Sequence, residues 1–488
     1  MRKALLLIML GMFSAFSLQA QKLQAFMSYS LFSSPVDGPY IETYLSVYGP
    51  SVIYAENDNG KLQGGVEVTI IFRQDDNIVS FDKYEVLSNE YADTNATFEN
   101  FLTQQRYVLG NGKYNMEFII SDKNSDAEPF ITTEPFEISF PDDQASISGL
   151  ELISGYTKTE KPGLITKSGY DLYPYVFNFF PESVQDLMFY CEFYNTDKTF
   201  GKGGKFAYNY FIESFETHTA IKGYSFMKVA QGAEVLPIMR DFNINDLPSG
   251  NYLLVVELRD QNNDLVTRNQ LFFQRSNPNI KFNTSDLAAV NTEGTFAGKI
   301  ENADSLRKYI RYLLPIGTDI DRVFINKQMK DADLHTLQQY FLNFWQGRDR
   351  AYPEEAWNSY HQMVKKVNIL YSTPNQLGYQ TDRGRVYLKY GPPNIISESY
   401  NEPAAYPYEI WQYYTLGESQ RNKKFVFYTA DIVTNDFLLV HSDAIGEVSN
   451  YRWQVEIYKR TYDPYSVDRF EYPDAWGSNV HRYWDNPR

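Results

Sequence analysis

The sequence predicts a multidomain, β-rich protein: two tandem immunoglobulin- or fibronectin-like β-sandwiches followed by an α+β domain. Three observations predict it. A strand-and-turn motif occurs twice at an offset of 138 residues, the apolar period changes from two to 3.6 after Pro278, and it returns to two from about Arg385.

In chain order, Met1-Arg2-Lys3, an apolar run from Ala4 to Phe16 and Ser17-Leu18-Gln19-Ala20 follow the charged, hydrophobic and small-residue order of a secretory leader. Residues 1–20 are therefore expected to be a signal peptide and the chain to be exported. The run is too short to span a bilayer, and no other stretch approaches the roughly 18 apolar residues that a membrane helix needs. The one cysteine, Cys191, lies far from residue 21, so neither a lipid-accepting Cys nor an intramolecular disulfide is expected. The expected location is the periplasm or the outer membrane, without lipoprotein anchoring.

Two sandwiches follow, expected over 21–145 and 146–280. "LGNGKYNMEFIISDKN", Leu109 to Asn124, aligns without gaps on "LPSGNYLLVVELRDQN", Leu247 to Asn262. Gly112 matches Gly250, Tyr114 matches Tyr252, and Asp122 and Asn124 match Asp260 and Asn262. Alternation after each Gly-x-Tyr makes each copy a half-buried strand that ends in an Asp/Asn turn, and a second strand completes a hairpin. Upstream runs such as "YIETYLSVYG", "GGVEVTIIFRQ", "LYPYVFNFF", "DLMFYCEFYN" and "GYSFMKVAQ" supply further strands. Cys191, inside "LMFYCEFY", reads as a buried residue. "TFGKGGKF" reads as a flexible hairpin tip rather than a phosphate loop, since no helix start follows its Gly-Lys pair.

The third domain is expected over 281–455, helices first. Leu306, Tyr309, Ile310 and Leu313 form a stripe after Asp304-Ser305. Leu334, Leu337, Tyr340, Phe341, Phe344 and Trp345 follow Asp333, and Trp357, Tyr360, Val364, Val367 and Tyr371 follow Pro353-Glu354-Glu355. These aromatics read as core packing. "RVYLKYG", "YEIWQYY", "KFVFYTA" and "FLLVHS" read as strands, and 456–488 as an extended aromatic tail interrupted by prolines.

Composition limits the function classes. With 45 basic and 61 acidic side chains the net charge is −16, which disfavours nucleic acid and anionic membrane surfaces. Aromatics at 16%, 40 of them tyrosine, suit β packing and exposed protein or glycan contacts. The five histidines have no metal-ligand spacing, and neither a Gly-x-Ser-x-Gly elbow nor a Walker loop is present, so no metal, cofactor or hydrolase constellation is expected.

The most specified stretch is "LGYQTDRGRVYLKYGPPN", Leu377 to Asn394. With Phe344-Trp345-Gln346-Gly347-Arg348-Asp349 before it and Trp411-Gln412-Tyr413 after it, it resembles the GWxTD domain family of secreted and periplasmic bacterial proteins, frequent in Bacteroidetes. The motif is matched by Gly378-Tyr379-Gln380-Thr381-Asp382 with Arg383-Gly384, and the element that follows by Arg385 to Gly391-Pro392-Pro393. Two departures are Tyr379 at the motif tryptophan and Arg350 where a proline commonly stands. The resemblance implies an envelope protein and no established reaction.

Read physically, Thr381 and Asp382 cap a loop, Gly378 and Gly384 allow positive φ, and Pro392-Pro393 stop a strand over 385–390. Val386, Leu388 and Tyr390 then face the core, and Arg385, Tyr387 and Lys389 face away. Arg383, Arg385, Lys389, Tyr379 and Tyr387 are the candidate binding residues for a carboxylate, phosphate or partner surface. The structural reading makes Asp382 a cap and pairs Arg383 or Arg348 with an internal acid such as Asp349, tying helix to sheet. The catalytic reading makes Asp382 an acid or base with His361 as a second proton carrier. The structural reading is preferred, because paired Arg and Asp at such junctions mostly secure geometry. The expected role is a non-enzymatic binding or scaffold protein for an envelope protein or glycan. A hydrolase or anionic-ligand enzyme centred on Asp382, Arg383 and Arg385 is the alternative.

Overall fold

Period-two alternation builds the first unit. The computed structural model describes residues 23–75, 77–280, 282, 284–287, 289–403, 405–417, 420–431, 433–450, 452–458 and 479–487. The expected signal peptide and most of the expected tail, 459–478, lie outside them.

The chain divides into two compact units: residues up to Phe140 together with Tyr156–Val176, and Pro141–Gly155 together with Phe177 onward. The boundary expected at 145/146 falls inside a segment that packs with the second unit, while 156–176 packs with the first. "LYPYVFNFF", read as one strand, is therefore split. Tyr170–Pro174 belongs to the first unit and Phe179–Phe180 to the second, with the break just past Pro174, which cannot donate to a ladder.

The first unit is a seven-stranded sandwich. Ala25–Ser34, Gly38–Val47 and Phe101–Val108 form one sheet in that order. Asn77–Leu87, Gly65–Gln74, Gly112–Asp122 and Phe130–Ile138 form the other. Val66, Val68, Ile70 and Phe72 are fully buried on the inner face, and the Phe72 and Tyr107 rings meet at 5.1 Å. Lys167, brought in by 156–176, meets the buried Glu42 carboxylate at 2.9 Å, and Arg106 meets it at the same distance.

The second unit repeats the connectivity. The opening part of Glu151–Lys158, Asp186–Tyr194 and Val235–Asn243 stand where the three-strand sheet stands. Ala220–Gln231, Lys205–Ser214, Gly250–Arg259 and Leu265–Arg275 stand where the four-strand sheet stands. The sequence repeat holds at the level of atoms. Tyr114 Oη donates to Gly110 O and Tyr252 Oη to Pro248 O, each at 3.0 Å, as in the tyrosine corner of immunoglobulin-like sandwiches. Asp122 accepts from Asn124 N at 2.8 Å and Asp260 from Asn262 N at 2.9 Å. Cys191 is fully buried, and burial pushes its thiol up. "TFGKGGKF" is not a hairpin tip. A short helix, Thr196–Phe200, and a turn carry the chain from one sheet to the other.

The period of 3.6 then produces the expected helices. Ala303–Arg311 is capped by Asn302, whose side chain accepts from Ser305 N at 2.8 Å, so the cap lies two residues before Asp304. Leu334–Arg348 is capped by Asp333, and Pro353 sits in the first turn of Pro353–Tyr371. Ile395–Ser399, Tyr408–Leu416, Gln420–Tyr428 and Leu438–Ser442 form an antiparallel sheet in chain order. Trp411, Tyr413, Phe425 and Phe427 pack on one side with the helices. On the other, Ile410, Val426 and Val440 are covered by Trp453, Ile457 and Val480 from Trp453–Ile457 and Val480–Asp485. The tail expected as extended over 456–488 is, where described, the end of Trp453–Ile457 and the helix Val480–Asp485, because apolar residues there bury on an otherwise open sheet face.

Candidate functional site

The stretch that reads as loop plus strand is a short 3₁₀ turn, Gly378–Gln380, followed by a helix, Asp382–Tyr390. Thr381 is the N-cap: its Oγ accepts from Gly384 N at 3.1 Å and donates to Gly378 O at 2.8 Å. Gly391 at φ +83 ends the helix, and Pro392-Pro393 follow. The start signal of a capping threonine with an acid beside it, and the stop signal of glycine then proline, were both present in the sequence. The alternation of "RVYL" points to a strand, and the helix signals prevail over it. The consequence is a different set of faces: Arg383, Gly384, Val386, Tyr387 and Leu388 are buried.

Neither Gly378 nor Gly384 has positive φ, against expectation. Both are required by close approach instead. A Cβ on Gly378 would lie 2.1 Å from Val367 O, and one on Gly384 would lie 1.8 Å from Gly378 O. The two glycines let the turn and the motif helix press against Pro353–Tyr371 at backbone distance. Tyr379 locks the turn: its N–H donates to Asn368 Oδ1 at 3.0 Å, and its buried ring stands edge-on to Tyr312 at 5.0 Å.

Two carboxylates that the sequence did not reveal organise the polar residues. Glu409 Oε1 accepts from Arg383 at 2.6 Å and from Tyr400 at 2.9 Å, and Oε2 accepts from Trp411 Nε1 at 2.9 Å. Arg383 also donates to Asn435 O at 3.0 Å and lies over the Phe437 ring at 4.1 Å, with Tyr371 at 5.2 Å. Both side chains of the pair are less than a tenth exposed. Arg383 is therefore internal, and its acid is Glu409 rather than Asp349.

Glu447 is the second centre. Arg385 grips it with both nitrogens at 3.2 and 2.8 Å, Lys389 adds a bond at 2.8 Å and Tyr390 Oη one at 2.7 Å. Burial alone would raise the Glu447 carboxyl, but Arg385 and Lys389 outweigh it and hold it down to about 2. The positive ridge of Arg383, Arg385 and Lys389 is thus tied inside the fold by two buried acids, with Asp382 4.0 Å from Arg385. Glu409 carried a weak signal, an acid inside the apolar strand "YEIWQYY"; Glu447, in a turn, carried none.

The remaining expected residues are placed as follows. Asp382 Oδ2 accepts from Leu439 N at 2.8 Å, tying the motif helix to the sheet. Tyr387 Oη accepts from Lys366 at 2.7 Å. Phe344 and Trp345 are core residues, and Arg348 lies 3.6 Å over the Phe344 ring while donating to Ile316 O. Burial lowers the Arg348 guanidinium. Asp349 Oδ1 accepts from Ala351 N at 3.0 Å and Tyr352 N at 2.8 Å, forming the turn into Pro353–Tyr371. His361 stacks on Trp357 at 4.6 Å beside Tyr309 and Tyr312, and burial with Lys365 and Lys308 lowers its pKa. Asp382 is bonded to the sheet through Leu439 while His361 packs among the helix aromatics Tyr309, Tyr312 and Trp357. Among the described residues no group of His, Cys, Asp and Glu has metal-site geometry, and no helix is long and apolar enough to cross a membrane.

Residues 279–459 match the family model of the GWxTD domain. No curated protein matches the chain. Among solved structures, the fibronectin(III)-like modules of Clostridium thermocellum CbhA match at 11% identity, covering 49% of this chain and 85% of that one, with a TM-score of 0.14. The sandwiches are defined by their strand order and register.

Proposed function

Because residues 279–459 make this a GWxTD domain-containing chain, we propose that it is an exported, non-enzymatic scaffold of the cell envelope that presents its β-sandwiches to a protein or glycan partner. One observation carries the reading: every cationic and phenolic group of the motif singled out for ligand binding is engaged inside the fold. Arg383 is held by Glu409, Arg385 and Lys389 by Glu447, Tyr387 by Lys366, and Tyr379 by burial against Tyr312. Groups committed in this way hold helices to a sheet. Export is supported by the leader-like order of residues 1–20.

The test is crosslinking in the native cell followed by affinity purification of the intact chain and of Asp382→Asn, with folding checked first. Asp382 is the one acid of the motif and its side chain is 36% exposed, so it is the acid a partner or substrate would reach. The same envelope proteins or glycans recovered with both chains support the reading. Loss of them from a folded Asp382→Asn chain overturns it, as does turnover of a small molecule by the intact chain alone.

A further inference from the structure

Among the described residues strand Asn77–Leu87 is the last strand of its four-stranded sheet and pairs only with Gly65–Gln74. Ser88 N donates to Gly64 O at 2.9 Å. Residues along an antiparallel strand alternate in which neighbour they bond. Phe81, Lys83, Glu85 and Leu87 therefore aim their backbone N–H and C=O at the free edge. The same four side chains lie on the outer face, where Phe81 is 71% and Leu87 47% exposed, and Ile78 and Val79 add further exposed apolar surface. A long, apolar, unpaired edge is a template for another strand.

We propose that the occupant is the same strand of a second copy, paired antiparallel about a two-fold axis through Tyr84, so that two four-stranded sheets become one of eight strands. The register follows from the side chains. A two-fold normal to the sheet keeps outer residues on the outer face. Centred on Tyr84, it sets Lys83 opposite Glu85 of the second copy and Phe81 opposite Leu87 of the second copy, each pair occurring twice. Centring on Lys83 or on Glu85 sets like charges against each other.

The flanking ion pairs extend the match. Within the chain, Lys123 holds Glu85 at 2.5 Å and Lys83 holds Glu67 at 2.7 Å. Across the seam Lys123, Glu85 and Lys83 of the second copy alternate in sign, and that Lys83 also offsets the acidic pair Glu85 forms with Glu67, which faces it on Gly65–Gln74. The topologically equivalent strand of the second sandwich, Ala220–Gln231, contains Lys222 and Lys228 and no acid. No register of that edge pairs opposite charges, and its lysines keep it single.

The test uses the full chain in sedimentation velocity and in oxidative crosslinking. Phe81→Cys/Leu87→Cys should form a reducible dimer, while either single variant should not, because residue 81 faces residue 87 and not itself. Facing residues in a strand pair are close enough to bond, and the natural Cys191 is buried. Lys83→Glu should weaken dimerisation on the order of tenfold or more, since it reverses two symmetric pairs. Lys228→Glu should leave it unchanged. A wild-type chain that stays monomeric at all concentrations, a double variant that does not crosslink, single variants that crosslink equally well, or equal weakening by Lys228→Glu would each overturn the proposal.

Discussion

Arg383→Ala tests whether the motif is a structural keystone. The Arg383 and Glu409 side chains are 7% and 4% exposed and 2.6 Å apart. Truncating Arg383 leaves a buried carboxylate with only the Tyr400 and Trp411 donors, and breaking one side of a buried pair costs about 3–5 kcal/mol. Loss of the guanidinium from between Phe437 and Tyr371 adds to that. With urea slopes of about 1–3 kcal/mol per molar, the unfolding midpoint should fall by about 1 M or more. All six tryptophans lie at or beyond Trp345, so intrinsic fluorescence reports this domain without signal from the sandwiches. Arg383→Met/Glu409→Gln removes both charges while keeping most of the volume, and should recover much of the loss, because a buried pair is far costlier to break than to replace. A single variant within about 1 kcal/mol of wild type, or a double variant no better than the single, would refute the reasoning.

Gly384→Ala should prevent this domain from folding, since its Cβ would meet Gly378 O at 1.8 Å, whereas Gly347→Ala, with open space around it inside a helix, should be neutral or stabilise by up to about 1 kcal/mol; solubility and melting temperature decide. His441 is buried, its Nδ1 accepts from Asn450 N at 3.0 Å, and burial lowers its pKa from 6.5 to about 4. The folded state therefore prefers the neutral ring: its full stability is present above about 6.5 and is lost as pH falls from there toward about 4, by roughly 3 kcal/mol at 1.36 kcal/mol per pH unit. Trp453 and Trp484 flank the ring, so fluorescence melts across that window should show the loss in wild type and not in His441→Asn. Cys191, fully buried, should resist a thiol reagent in native buffer and react only as the second unit unfolds; rapid native labelling would contradict its placement.

Much of the fold was legible because burial imposes periodicity. Tyr114 and Tyr252 repeat at a fixed offset since each closes the same hydrogen bond to a carbonyl four residues upstream. Asp333 and Pro353 announced helices because caps and first-turn prolines are local. The motif helix is not legible as one although its cap and stop signals are also local. Its nine residues are too few for 3.6 periodicity to outweigh the alternation of "RVYL". Glu409 and Glu447 were not legible as partners, because 26 and 62 residues of chain separate them from the arginines they hold. Only the topology brings them together.

The two sandwiches make the same point within one repeat. Glu42 and Glu192 sit on corresponding strands, each with a tyrosine two residues later, and both are buried. At Glu42 the Tyr44 phenol donates at 3.1 Å and two cations are added, Arg106 from the neighbouring strand and Lys167 from 156–176, whereas at Glu192 the phenols of Tyr190 and Tyr194 donate at 2.5 Å. A carboxylate cannot be buried without compensation, but cations and phenols are both sufficient kinds of donor. A sequence read alone shows the demand at each position and not which supply the fold delivers. In the first sandwich that supply, Lys167, comes from a segment lying beyond the whole of the strand set it stabilises. Compact units, set by contacts between distant segments, therefore need not break where period or composition changes along the chain.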